Sequence, residues 1–333
     1  MLLSRVGYPV VKLPFPPLSG KDIRRIYIAP LVRQLPEFTA TGKSPASLLK
    51  ELRSKIEKGR PQASFTMKGF YRQYHWENGR AVFLVEALGS IFFSAQKSKL
   101  ERMNMVELRR AYPLEKNKET HADHLADLLS ENPVYHDAGT ILSPDDRSAY
   151  TFHLPEEKEN NSLTTLQFTS EDELFITEGS LLFATEDLQL LKYKLHISLK
   201  PDAKVNFLNG GGRYVWFKQE ERIEADFYWK KDSIYLSEIH QQYRHFLLDP
   251  VFHSVDFDLT EDFFWKSEED INYTTHPGPD YTFSSNLYSR KYIYNRANWE
   301  SSALVRSCPL AGNVAQSLIE KVPLENQFKE AGH

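Results

Sequence analysis

Residues 222–230 read Arg-Ile-Glu-Ala-Asp-Phe-Tyr-Trp-Lys, with an apolar side chain at every second position. In a β-strand, successive side chains point to opposite faces, so this alternation predicts a strand with one buried face and one face toward solvent. The side chains predicted to be buried are Ile223, Ala225, Phe227 and Trp229. Those predicted to point outward are Glu224, Asp226 and Tyr228.

Similar strand-like segments extend on both sides of this stretch. Their predicted ranges are about 163–169, 173–177, 180–185, 189–199, 204–208, 213–219, 222–230, 233–247 and 251–259. Turn-forming sequences separate them: Glu178-Gly179, Asn209 to Gly212, Glu220-Glu221 and Lys231-Asp232. This regular spacing predicts antiparallel strands that form a β-sandwich or a barrel-like sheet over about 163–259.

A smaller helix-plus-hairpin region is predicted before these strands. Ser44 is a suitable N-cap, Pro45 suits the first helical position and Gly59 suits the end, so a helix is predicted over 45–58. A hairpin is predicted over 64–95, because Asn78-Gly79 lies between two β-prone segments. The predicted fold class is therefore α+β, predominantly antiparallel β.

The remaining segments predict helices and loops. Helices are expected within 100–130, over 100–110 and 121–130, and also over 261–266 and 313–321. The prolines and the charged run between 132 and 161 indicate a long loop or a boundary. The predicted regions are an N-terminal α+β region at 1–145, a linker at 146–162, a β-rich domain at 163–300, and a C-terminal helix and tail at 301–333.

Composition restricts the classes of function. Hydrophobic residues make up 41% of the 333 residues, which predicts a folded chain with a substantial core. The formal net charge of −4 provides no general positive field, so nucleic acid is not an expected partner. Aromatic residues reach 13%, and such side chains favour sheets and interfaces.

Cysteine usage and hydropathy lead to a predicted location. Cys308 is the single cysteine, which excludes an internal disulfide and favours a reducing compartment. Residues 1–20 contain no uninterrupted apolar segment typical of an export signal, and no stretch approaches about 18 apolar residues. The sequence therefore predicts a cytoplasmic protein with no membrane partner.

Histidines in and near the predicted helix 121–130 are candidate metal ligands. His121, His124 and His136 offer imidazole nitrogens, but one helix brings at most the first two together. An ordinary amphipathic helix with histidines at its boundary explains the pattern better. We predict no metal site and no cofactor.

An acid–base group is predicted in the strand-like segment 233–247. Glu238, His240 and Arg244 lie at positions that share one strand face, within reach of acid–base catalysis if that face lines a cavity. A solvated sheet face with cross-strand pairs has the same pattern. These three residues are the candidate catalytic residues.

Aromatic residues provide the candidate binding surface. The residues expected to form outward contacts are Tyr214, Trp216, Tyr228, Trp229 and Tyr294. Since no catalytic motif is present, the sequence favours a non-catalytic binding or assembly protein that engages another protein or itself through these faces and its long loops. The alternatives are a hydrolase-type enzyme with an acid–base site in the β-rich domain, and a carrier of an apolar small ligand.

Overall fold

The computed structural model describes residues 2–3, 11–12, 44–95, 99–111, 125–130, 134, 150–155, 162–201, 203, 215–248, 255–274, 294–319 and 328. The chain divides into two compact units, Met1–Thr41 and Gly42–His333. In the first unit, strands β1 (Leu2–Leu3) and β2 (Val11–Lys12) pair in antiparallel fashion.

A single ten-stranded sheet forms the body of the second unit. Its strands are β3 (Phe65–Glu77), β4 (Arg80–Ser94), β5 (Lys99–Ala111), β6 (Thr151–His153), β7 (Leu163–Glu171), β8 (Phe175–Ala184), β9 (Leu190–Leu199), β10 (Val215–Lys230), β11 (Ser233–Leu248) and β12 (Val255–Tyr273). Their order across the sheet is β5-β4-β3-β12-β11-β10-β9-β8-β7-β6, and every neighbouring pair is antiparallel. The predominantly antiparallel β class is confirmed, as one sheet rather than a sandwich of two.

In the described part of the chain, five helices cover this sheet. They are α1 (Pro45–Gly59), α2 (Leu125–Ser130), α3 (Arg296–Ser301), α4 (Ala303–Ser307) and α5 (Gly312–Ile319). Helices α1 and α2 pack on one face, which we call the inner face, and α3, α4 and α5 pack on the other, the outer face. Helix α1 begins where Ser44 accepts a hydrogen bond from the backbone N–H of Ser47, so the cap and range coincide with those predicted.

The main core lies between the inner face and its two helices. Helix α1 packs against β6 and β11, while α2 packs against β5, β11 and β12. Strands from both ends of the sheet thus reach the same pair of helices, which means that the sheet curls around them. Side chains of the apolar rows on this face, such as Tyr71, Trp265 and Ile239, are fully buried.

A second core lies on the outer face. Helix α4 packs against β3 and β12, and α5 packs against β4. Phe70 and Leu84 from the sheet contact Trp299 and Leu304 from the helices, and all four side chains are buried. The two faces of β3 therefore contribute to two different cores.

Local backbone signals account for the hairpin. Asn78 and Gly79 have φ angles of 49° and 77°, the left-handed region that a tight turn between β3 and β4 requires. Lys231, at the turn between β10 and β11, has a φ angle of 58°. Both turns coincide with positions named from the sequence.

Two predicted helices are strands, and these predictions were wrong. Residues 100–110 form most of β5, and residues 261–266 lie within β12. Leu, Met, Glu and Arg give residues 100–110 a high helix propensity, but pairing with β4 buries Met103 and Met105 on the inner face. Tertiary packing outweighs local propensity in both segments.

Two predicted turns are also interior to strands. Glu178-Gly179 lies inside β8, and Glu220-Glu221 lies inside β10, where an irregularity in the register falls between Lys218 and Glu220. A β-bulge bends a strand without ending it, which explains why a polar pair interrupts the alternation there. The segment 204–208 lies outside the described residues.

The first hairpin and the later strands belong to the same sheet. β3 pairs with β12, from Glu77 opposite Leu259 to Phe65 opposite Tyr273. The predicted linker 146–162 falls inside the second unit, and β6 within it pairs with β7. α2 and α5 overlap the predicted helices 121–130 and 313–321.

Candidate functional site

A group of polar side chains lies at one end of the inner face, which is otherwise apolar. We call it the inner polar cluster, and its members are Gln73, His75, Lys218, Glu221, Gln241, Tyr243, His245 and Glu261. They come from β3, β10, β11 and β12, which are neighbours in the sheet. The register places His75, Glu261, Tyr243 and Glu221 opposite one another in a single row.

Glu221 is the centre of one half of this cluster. Lys218 donates a hydrogen bond through Nζ to Glu221 Oε2 at 2.7 Å, and Gln241 donates through Nε2 to Glu221 Oε1 at 3.0 Å. Gln241 Nε2 also contacts the hydroxyl of Tyr243, and the Lys218 ammonium lies 5.9 Å from the centre of the Tyr243 ring. Both oxygens of this buried carboxylate are therefore engaged.

Glu261 is the centre of the other half. His75 Nε2 lies 3.4 Å from Glu261 Oε1, and His245 Nδ1 lies 3.7 Å from Glu261 Oε2. His75 Nε2 is also 2.8 Å from Gln73 Nε2, and Gln73 Oε1 accepts a hydrogen bond from the Tyr71 hydroxyl at 2.8 Å. A chain of polar contacts thus leads from Glu261 into the apolar interior.

The placement of these groups is energetically costly. His75, Gln73 and Gln241 are almost fully buried, and Glu221 is buried as well. Ionisable groups inside a protein cost free energy even when paired, and apolar residues of similar size often serve stability as well or better. The inner polar cluster is therefore the strongest candidate functional site in the described part of the chain.

Aromatic side chains connect this cluster to the apolar interior. Phe263 contacts the rings of both Tyr243 and His75, at centroid distances of 5.9 and 6.3 Å. Deeper on the same face, Trp265 lies over Gly69, where an added Cβ would overlap its indole ring. Trp265 Nε1 is buried and has no hydrogen-bond partner within the described ranges.

The three candidate catalytic residues lie on the outer face. Glu238, His240 and Arg244 do share that face, as the spacing indicated, because they pair with Lys266, Phe264 and Thr260 of β12. Glu238 Oε2 lies 3.2 Å from Lys266 Nζ, and the side chain of Arg244 is exposed. Their catalytic role stays a prediction.

His240 has a buried partner that the sequence did not identify. Its Nε2 lies 2.9 Å from Asp262 Oδ2, and Gln242 Nε2 donates to the same oxygen at 3.3 Å. Burial lowers the pKa of His240, but the hydrogen bond and the negative charge of Asp262 outweigh burial and raise that pKa above its ordinary value. His240 is therefore held toward its protonated form.

A shallow groove of about 450 Å³ crosses the outer face of β6 to β10. Its polar lining consists of His153, Gln167, Thr169, Glu178, Ser180, Lys194, His196, Arg222 and Glu224. Most of these charges lie in ion pairs, for example Lys194 with Glu224 at 3.2 Å and His196 with the neighbouring Glu220 at 2.7 Å. These pairs have the cross-strand pattern of a solvated sheet face.

The aromatic residues predicted to form an outward binding surface are packed where the structure describes them. Tyr294 is buried in the outer core, and the Tyr228 ring stacks on Tyr235 at 5.5 Å. Trp229 donates from Nε1 to the carbonyl of Leu190 at 3.0 Å and lies against α1 at Gly59. Tyr214 and the side chain of Trp216 lie outside the described residues.

The metal candidates His121, His124 and His136 also lie outside the described residues. Within the described ranges, no group of three or more His, Cys, Asp or Glu side chains is arranged to hold a metal ion. Of the helices that the structure describes, none has the length and apolar character needed to cross a membrane.

The inner polar cluster was missed from the sequence for an identifiable reason. Along β11, the candidate catalytic residues alternate with Gln241, Tyr243 and His245. One polar segment therefore supplies side chains to both faces of the sheet. Glu221 was assigned to a turn and Glu261 to a helix. With those two carboxylates outside any predicted strand, the row across four strands could not be recognised.

Comparisons with known proteins give only distant likenesses. No protein-family model and no curated protein matches the chain. A DUF1329 family protein from Desulfovibrio piger is 10% identical, with 71% of this chain and 96% of that chain covered and a TM-score of 0.31. A putative outer membrane lipoprotein-sorting protein domain from Vibrio parahaemolyticus is 10% identical, with 74% and 100% covered and a TM-score of 0.30. A LolA superfamily protein from Nitrosomonas europaea is 12% identical, with 69% and 94% covered and a TM-score of 0.23.

These likenesses are too weak to assign a function, but they bear on the predicted location. The prediction of a cytoplasmic protein depended on the single cysteine and the composition of residues 1–20. It is contradicted by the similar structure described as a putative outer membrane lipoprotein-sorting protein domain. The cytoplasmic prediction is therefore withdrawn.

Proposed function

We propose that this chain is a non-catalytic carrier that holds a small amphipathic ligand on the inner face of its sheet. The polar end of the ligand would lie at the inner polar cluster, and its apolar part would extend toward Trp265. The observation that supports this proposal is the change along the inner face from fully buried apolar rows to a row of polar side chains that includes two carboxylates. Ligand sites are typically apolar surfaces with a few convergent polar groups.

A second observation supports a ligand in the apolar part. Trp265 Nε1 is a hydrogen-bond donor that is buried without a partner in the described part of the chain. Buried donors of this kind are rare in folded proteins, because an unmade hydrogen bond costs about 1–3 kcal/mol. A ligand oxygen lying beside the indole would satisfy this donor.

The contacts within the cluster favour holding a ligand over catalysis. Lys218 is bound to Glu221, and His75 and His245 both lie against Glu261. Each carboxylate is thus fixed between neighbouring donors or bases.

The packing of Tyr228, Trp229 and Tyr294 argues against a macromolecular partner that binds an aromatic sheet face.

Binding of the neutral fluorescent dye N-phenyl-1-naphthylamine tests the carrier function. We expect the wild-type protein to bind the dye with increased fluorescence, and a long-chain amphiphile to displace it. Gln241→Phe fills the inner face beside Phe263, so it should weaken dye binding by about tenfold. Gln242→Phe changes the neighbouring residue on the opposite face and should leave binding unchanged.

The thermal midpoint of each variant shows whether it is folded. A wild-type protein that gives no fluorescence increase would contradict the carrier function. Equal loss of binding in the two folded variants would contradict the placement of the ligand on the inner face.

A further inference from the structure

We infer that the ligand of the inner polar cluster carries an anionic head group, which Lys218 and His245 receive at the rim of the cluster. This inference depends on the proposed carrier function and adds the chemical class of the ligand.

Lys218 and His245 are more exposed than either carboxylate of the cluster. Lys218 is 37% exposed and His245 is 22% exposed, whereas Glu261 is 14% exposed and Glu221 is 8% exposed. His75 is fully buried behind them. A ligand that approaches from solvent therefore meets a lysine and a histidine before it meets either carboxylate.

Lys218 keeps hydrogen-bonding capacity for a ligand. An ammonium group has three N–H donors, and within the described residues only Glu221 accepts one of them. The Tyr243 ring, 5.9 Å from Nζ, adds an electrostatic contact without using a donor. Two donors of Lys218 are therefore directed away from the pair with Glu221.

The two carboxylates hold the basic side chains in position, so they are not available to bind a cationic head group. The two oxygens of Glu221 face Lys218 and Gln241, and the two oxygens of Glu261 face His75 and His245. All four oxygens thus already have a nitrogen neighbour. An anionic head group, with charge-assisted bonds to Lys218 and His245, is complementary to this arrangement, while a cationic head group would compete with existing pairs.

The outer face offers a matched control for this lysine. Lys194 pairs with Glu224 across β9 and β10 at 3.2 Å, and both side chains are about half exposed. The chemistry is the same lysine–glutamate pair, but the pair lies on the face opposite the apolar core. Replacing either lysine by methionine removes one positive charge from the protein.

The experiment compares dansyl-aminoundecanoic acid with its uncharged methyl ester by fluorescence titration. We expect the wild-type protein to bind the acid about tenfold more tightly than the ester, as one charged hydrogen bond implies. Lys218→Met should remove most of this preference for the acid over the ester. Lys194→Met should retain the preference.

The outcomes separate this inference from the carrier function. If the ester and the neutral dye bind but the acid shows no preference, the carrier function stands and the anionic head group is overturned. If Lys194→Met loses the preference as fully as Lys218→Met, the assignment to the inner polar cluster is overturned. If no probe binds, both proposals fail.

Discussion

A buried carboxylate sets the protonation of His240. Asp262 lies within the sheet, and its Oδ2 is shared by His240 and Gln242. This carboxylate raises the pKa of His240 above its value in the unfolded chain. The His240–Asp262 pair therefore makes its full contribution to the free energy of unfolding below about pH 6.5. That contribution is lost as the pH rises through the folded pKa of His240.

We expect Asp262→Asn to lower the pKa of His240. The substitution removes the charge that raises this pKa but leaves the burial that lowers it. NMR titration of the His240 ring protons measures the change directly. Glu238→Gln, which removes a more weakly acting charge on the same face, should cause a smaller decrease; an equal decrease would contradict the dominance of Asp262.

Spacing along one strand was informative at the residue scale, whereas partners on other strands were not predictable. Period-two spacing placed Glu238, His240 and Arg244 on one face, and the register agrees. The partner Asp262 lies in a segment with helix-like composition, so its pairing with β11 had no local signal. A side chain's partner on another strand depends on register, which forms only with the tertiary fold.

A buried cluster of charged side chains links the sheet to the helices on its outer face. Glu86 is fully buried; its Oε1 accepts from Arg72 Nε at 2.7 Å and its Oε2 accepts from Arg109 Nε at 2.6 Å. Arg72 Nη2 donates to the carbonyl of Cys308 at 2.6 Å, directly after α4. The Arg109 guanidinium lies 4.4 Å from the centre of the Trp299 ring in α3.

Glu86→Gln should destabilise the protein by about 3 kcal/mol, because it leaves two largely buried guanidinium groups without their shared carboxylate. Urea unfolding measures the free energy, and limited proteolysis should show earlier cleavage around α3 to α5. Glu224→Gln, at an exposed ion pair on the outer face, serves as the control and should change stability by less than about 1 kcal/mol. Similar free energies of unfolding for the two variants would contradict this role of Glu86.

Elements with strong local signals were recognisable from sequence. Ser44 and Pro45 indicated the start of α1, and Asn78-Gly79 indicated the turn between β3 and β4. β5 had no such signal, because its residues favour a helix and its strand conformation depends on pairing with β4. Bulges in β10 similarly concealed the continuity of one long strand.

At the scale of the whole molecule, β12 joins the first hairpin to the later strands. Thr66 Oγ1 donates to the carbonyl of Asn272, 206 residues later, and the pairing extends from there to Glu77. Side chains of β3 and β12 lie together in both cores. Neither part of the sheet can lose this pairing without exposing apolar surface.

We therefore expect residues from β3 to β12 to unfold in one cooperative transition. Far-ultraviolet circular dichroism and tryptophan fluorescence should give the same urea midpoint, because tryptophans occur in β3, β10, β12 and α3. Two separated midpoints would instead support independent regions divided at 146–162. Hydrogen exchange on peptides from β3 and β9 provides a second comparison.

The overall class was predictable, but the arrangement of the strands was not. Alternation in segments such as 222–230 is sufficient to predict antiparallel strands with two unlike faces. Strand order has no such local signature, because the pairing of β3 with β12 connects segments that are remote in sequence. For the same reason, the row that contains His75 and Glu261 could not be predicted.

The late arrival of β12 imposes an order on folding. When the chain is synthesised, β3 to β5 leave the ribosome long before the residues that complete the edge of β3. Until then β3 presents unpaired backbone groups and aromatic side chains, a template for association with other nascent chains. The pairing of β3 with β12 joins residues as remote as Thr66 and Asn272, 206 positions apart, and pairing at such a separation forms slowly. A chaperone that binds residues 65–77 should therefore raise the yield of native protein.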